Sequence, residues 1–108
     1  MEFKNLTERV KIPVLGLGTF GMGGGMRANH SQDKKYVDAI EYAISKGLTH
    51  LDTAEIYAAG HAEELVGEAI KNFEREKLFI TTKISPHHIF TNGQIVKSCH
   101  SSLRRLNT

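Results

Sequence analysis

The sequence holds one cysteine and two prolines among 108 residues, and no apolar run approaches the roughly 20 residues needed to cross a bilayer. No membrane span is therefore expected. Cys99 alone cannot close an intramolecular disulfide, and with no secretory leader at the start of the chain the expected compartment is the reducing cytosol, making the protein cytoplasmic. Charge of one sign is scarce too: 14 Lys and Arg stand against 12 Asp and Glu, a net of +2, and the basic residues are scattered. Nucleic-acid binding, which needs a concentrated basic face, is not expected. What is present, 40% hydrophobic and 24% charged residues, matches one ordinary globular domain and excludes disordered or collagen-like chains.

The order of elements follows from periodicity. Residues 2–13 alternate charged and apolar positions around Asn5 and Thr7, which predicts a small hairpin. Val14-Leu15-Gly16-Leu17-Gly18 is too short for a helix and reads as a buried strand, and the glycine-rich stretch 21–29 reads as a loop. Ser31 is placed to cap a helix with Val37, Ile40 and Ile44 on one face and Gly47 at its end. A second strand over 48–53 ends in Asp-Thr-Ala. A second helix carries Ala62, Leu65, Val66, Ala69 and Ile70 at helical spacing. A third strand over 78–82 is followed by Lys83, and Pro86 blocks its continuation. Thr91 and Gln94 have capping-box spacing, and Ile95, Val96, Cys99, Leu103 and Leu106 keep a helical period to the end.

Strand, helix, strand, helix, strand, helix in one sheet implies parallel strands with helices outside. Three such units leave two edges and an inner side open, so the sheet reads as part of a larger one; a small three-stranded α/β domain is the alternative. A complete (β/α)8 barrel takes roughly 250 residues.

Gly16-Leu17-Gly18-Thr19-Phe20-Gly21 matches the formal pattern of a dinucleotide-binding glycine turn. A Rossmann reading fails, because the helix starts about ten residues late and no acidic residue ends the second strand at the required distance. A wide turn that lets backbone approach something above the strand is simpler. More telling are Asp52 at the carboxyl end of the second strand, Tyr57 in the following loop and Lys83 at the end of the third strand. Taken singly, each has an ordinary explanation: a loop cap, a half-buried aromatic, a solvated strand end. Together they make an acid: an ammonium beside a phenol makes it a better proton donor, and a carboxylate keeps that ammonium placed and charged. The six histidines, including adjacent His87 and His88, show no dense metal-ligand spacing, so no metal is expected. Cys99 is expected to pack against a strand rather than to react.

These residues carry a resemblance. Val14 to Phe20, Leu51-Asp52-Thr53-Ala54-Glu55-Ile56-Tyr57, Glu63 to Ile70, Arg75 to Lys83 and Ser102-Leu103-Arg104-Arg105-Leu106 together resemble the opening of an aldo-keto reductase. The resemblance implies a TIM (β/α)8 barrel, of which residues 1–13 would be the hairpin and 14–108 the first three βα units, forming the amino-terminal portion of one domain. It also implies reduction of aldehydes or ketones with NADPH, or NADH, and a small-molecule carbonyl substrate. By position it makes Tyr57 the proton donor with Asp52 and Lys83 as its catalytic partners, and it sets Gly18, Thr19, Phe20 and Asp52 beside the cofactor. The family's histidine at the end of a fourth strand has no counterpart, so the isolated chain is expected to be inactive, and to self-associate or pair with a missing carboxyl-terminal part. The competing expectation is a non-catalytic, reductase-like segment that acts by association.

Overall fold

The computed structural model describes residues Met1–Thr108. Strands β1 (Phe3–Asn5) and β2 (Lys11–Pro13) pair antiparallel in the predicted hairpin. The rest is β3 (Gly16–Gly18), α1 (Asp33–Ser45), β4 (His50–Asp52), α2 (His61–Ala69), β5 (Phe79–Thr81) and α3 (Asn92–Leu106). The three later strands form one parallel sheet in the order β3-β4-β5. Leu17, Leu51 and Ile80 are in register across it, as are Gly18, Asp52 and Thr81.

Side chains alternate across a strand, so the two rows face opposite ways. The Leu51 row meets the helices. Leu51 is fully buried among Ile40 and Ile44 of α1, Leu65, Val66 and Ala69 of α2, and Leu106 of α3. Burying one such aliphatic side chain contributes about 1.5–3 kcal/mol, and this cluster joins all three helices to the sheet. The other face, carrying His50 and Asp52, has no layer over it. There His50 makes a 3.1 Å hydrogen bond with Thr81 Oγ1 and meets the Phe79 ring edge-on at 5.3 Å.

Helix α2 lies between α1 and α3 and is buried on most of its circumference. Gly67 permits this, since a Cβ there would stand 2.3 Å from the backbone oxygen of Arg105 on α3. Helix α3 begins with the predicted capping box, Thr91 and Gln94 each bonding the other's backbone N–H.

Four local expectations are corrected. The first strand is shorter and not buried: β3 begins only at Gly16 and is an edge with one neighbour, and Val14 and Leu15 lie ahead of it and are exposed, the latter at 60%. Ser31 does not cap α1. Its hydroxyl donates to Asn29 Oδ1, and Gln32 takes the cap position without a side-chain bond. Cys99 is exposed rather than packed on a strand. On the same helix Ile95, Val96 and Leu103 are exposed while Ser102 and Leu106 face inward, because Arg105 reaches a buried carboxylate on α2 and also donates to the Ser102 hydroxyl.

Candidate active site

Parallel strands deliver side chains to their carboxyl ends, and three polar residues of this chain meet there. Asp52, the last residue of β4, is held from both sides. Its carbonyl accepts from the backbone N–H of Thr19 at 3.0 Å and from the Thr19 hydroxyl at 3.1 Å. Across the other edge the backbone N–H of Thr53 donates to Thr81 and that of Glu55 to Lys83, which carries the β4–β5 pairing past the end of the ladder and fixes Lys83 beside Asp52. The Lys83 ammonium then stands 2.8 Å from each carboxylate oxygen of Asp52. The same Nζ lies 5.3 Å from the centroid of the Tyr57 ring.

Tyr57 opens a tight turn (Tyr57–Gly60) in which Ala58 and Ala59 both adopt left-handed backbone, with φ of 50° and 56°. Such a conformation costs an L-residue about 1–2 kcal/mol. It turns the chain sharply into α2 and leaves the Tyr57 ring half-buried beside Lys83. Phe20 approaches Tyr57 edge-on with centroids 5.2 Å apart and is itself 83% exposed, an apolar rim at the mouth of the cluster. Thr19, by contrast, is wholly buried, so its hydroxyl serves Asp52 rather than facing the mouth.

Behind the cluster is a buried network that periodicity did not reveal. Glu63 on α2 is fully buried, accepting from the Thr82 hydroxyl at 2.5 Å and from Arg105 Nε at 2.6 Å. Thr82 immediately precedes Lys83, so α2 and α3 together anchor the segment that presents the ammonium. The only hint in the sequence is a glutamate adjoining the apolar stripe of α2; nothing pairs it with Arg105.

A cleft of about 730 Å³ lies elsewhere, between the Tyr57 turn and α3, and Asp52, Tyr57 and Lys83 do not line it. Glu55 faces it, bonded to His88 through one oxygen while the other is buried without a partner. His87 and His88 follow β5 in a short turn and are exposed, and neither belongs to the group of His30, Asp33 and His61. A second polar cluster joins His30, Asp33 and His61 on the far side of α2. Burial opposes a charge on His61, but its hydrogen bonds to Asp33 and Glu64 outweigh that and raise its proton affinity. The hydrogen bond from His61 in turn lowers the pKa of Asp33. The sequence analysis did not single out these residues, and the approach of His61 to Asp33 depends on the packing of α1 against α2.

A carboxylate, an ammonium and a phenol gathered at the carboxyl ends of parallel strands define a class: α/β proteins whose polar chemistry sits at the strand-end face. Comparison with known proteins makes this specific. Residues 14–108 match the aldo/keto reductase family. The chain is 45% identical over 100 residues to methylglyoxal reductase YeaE of Escherichia coli, a match covering 92% of this chain and 33% of that protein. Among solved structures, the thermostable aldo-keto reductase Tm1743, in complex with the inhibitor epalrestat, superposes with a TM-score of 0.96 at 45% identity, covering 100% of this chain and 39% of that one. An aldo/keto reductase from Klebsiella pneumoniae in complex with NADP and acetate gives 0.82 at 40% identity, over 94% and 34%. The chain belongs to the aldo-keto reductase family, and it spans about a third of the length of the curated relatives it matches.

Proposed function

We propose that these residues are the amino-terminal portion of a (β/α)8 barrel, with 1–13 the hairpin and 14–108 three βα units of one domain, in a protein that reduces aldehydes or ketones with NADPH. The observation that carries the reading is the Lys83 ammonium, bound to both oxygens of Asp52 and standing over the Tyr57 ring. In this reading the Tyr57 hydroxyl gives its proton to the carbonyl oxygen of the substrate. Lys83 stabilises the charge left on the phenol oxygen, and Asp52 holds Lys83 in place. The nicotinamide, when bound, supplies hydride to the carbonyl carbon.

The residues present suit one end of such a cofactor. A Cβ at Gly18 would meet nothing within 4 Å, so the strand end there is open to a flat ring, while Phe20 and Asp52 flank the same opening. Gly18, Phe20 and Asp52 would make the contacts and Thr19 would act through Asp52. Enclosure has to come from further chain, since sites that bind such ligands well bury about 70–90% of them. NADH serves in the same way if the contacts at the far end of the cofactor allow it.

Replacing Tyr57 with Phe in the complete protein tests the assignment. A loss of about 10²–10⁴ in kcat on a reactive aldehyde is expected. Turnover at the unmodified rate would assign the acid elsewhere.

A second reading, favoured by the exposed row Ile95, Val96 and Leu103 and by the open β3 edge, is a reductase-like segment that works by associating with a complementary part. Turnover of a reactive aldehyde with NADPH by the complete protein separates the two: reduction supports the first reading, and a complete protein that associates but neither binds NADPH nor turns over supports the second.

A further inference from the structure

The loop after β3 and the start of α1 meet α2 at a cluster that the strand-end site does not use. His61, the first residue of α2, has a side chain only 6% exposed. Its Nδ1–H donates to Glu64 Oε2 at 2.7 Å, and its Nε2 faces Asp33 Oδ1, also at 2.7 Å, across the junction with α1. The other oxygen of Asp33 lies 3.0 Å from His30 Nδ1, and the two imidazole rings are 4.0 Å apart. One ligand atom from each of His30, Asp33 and His61 falls within 4.8 Å of the others.

We propose that His30, Asp33 and His61 form a binding site for a transition-metal dication of the zinc type, with Glu64 as the outer carboxylate that orients His61. Surface His–Asp pairs are common without any metal. What distinguishes this group is a buried ring whose far nitrogen is fixed by a second carboxylate, leaving Nε2 aimed at the other ligands. Carboxylate–histidine–metal arrangements have this form, the outer carboxylate setting both ring orientation and ligand basicity. Two nitrogens and one carboxylate oxygen suit zinc, nickel or copper, whereas magnesium and calcium require several oxygens.

Charge and geometry agree with this. Asp33 and Glu64 together balance a dication. Metal–ligand distances of about 2.0–2.2 Å in a tetrahedral site separate ligand atoms by about 3.4 Å. To reach that spacing the 2.7 Å between His61 Nε2 and Asp33 Oδ1 widens by about 0.7 Å, which the partly exposed Asp33 side chain allows, while the exposed His30 turns to complete the set. Its exposure also leaves room for water as the fourth ligand. When the metal enters, the proton between His61 Nε2 and Asp33 passes to solvent and the one on Nδ1 remains with Glu64.

The site would tie the glycine-rich loop to two helices. Gly23 of that loop rests on the His61 ring, where a Cβ would come within 2.7 Å, and Phe20 at the base of the loop touches Tyr57. The bound ion would therefore hold the rim of the strand-end mouth from outside it. Binding itself does not depend on the reductase reading.

Calorimetric titration of the untagged protein with Zn²⁺, and with Mg²⁺ as control, tests the proposal. One zinc per chain with about micromolar Kd and no magnesium binding is expected. His30→Ala, at an exposed position where the fold is not at stake, and Asp33→Asn should each weaken zinc more than about 10-fold, and Glu64→Gln by about 10- to 100-fold. A zinc Kd weaker than about 1 mM overturns the proposal. So does binding that survives both His30→Ala and Asp33→Asn, which would put the metal elsewhere, for example on exposed Cys99.

Discussion

Two of the ion pairs that join neighbouring elements of this chain differ sharply in their exposure. Asp52 and Lys83 bridge the ends of adjacent strands with side chains 41% and 45% exposed. Glu63 and Arg105 bridge adjacent helices with side chains 0% and 26% exposed. Solvent screens the first pair, so its contribution to stability is about 0–1 kcal/mol. The second leaves a carboxylate in the core with no recourse to water, and removing its partner costs about 3–5 kcal/mol. Thr82 connects them, since its hydroxyl bonds Glu63 and the next residue is Lys83. The buried pair thus supports the segment that carries the exposed one.

The contrast is sharpest under mutation. Arg105→Met strands the Glu63 carboxylate and should lower unfolding free energy by about 3–5 kcal/mol, read as a shift in urea midpoint. Adding Glu63→Gln to that variant should recover part of the loss, because a buried amide is cheaper than a buried unpaired charge. A loss under about 1 kcal/mol for Arg105→Met would place the pair with ordinary surface salt bridges.

Gly67→Ala comes next in size. The new methyl would push against the backbone of Arg105 and part α3 from α2, a loss of about 1–3 kcal/mol. Thermal unfolding measures it, and an unchanged Tm would mean the helices can separate freely. Ala59→Gly should move stability the other way, by about 1 kcal/mol, because glycine occupies left-handed backbone without strain. The smallest effect is expected from Asp52→Asn, a change in stability within about 1 kcal/mol.

What could be read from the sequence follows the reach of each signal. The hairpin, the order of strands and helices, and the Thr91–Gln94 cap depend on neighbours a few residues apart, and the structure has them. Asp52, Tyr57 and Lys83 could be brought together because parallel strands place their ends side by side, and no detailed contact is needed for that inference. The outer face of α3 misled because Ile95, Val96 and Leu103 have the spacing of a core stripe, while the rotation of the helix is set by Arg105 reaching Glu63, 42 residues away in sequence. Val14 and Leu15 have the apolar character of a buried strand, but the strand starts after them and both are exposed. His61 behaves likewise. As a lone histidine after a glycine it carries no signal, and only the folding of α1 against α2 brings Asp33 to it.

On the function proposed above, the exposed pair serves chemistry while the buried pair holds α2 to α3. Steady-state turnover of Lys83→Met in the complete protein tests it most directly, with urea unfolding of the same preparation as the reference. The expected result is a fall in kcat of about 10²-fold or more while the unfolding free energy stays within about 1 kcal/mol of the parent. Turnover close to the parent's, or a loss of activity explained by unfolding, would contradict it.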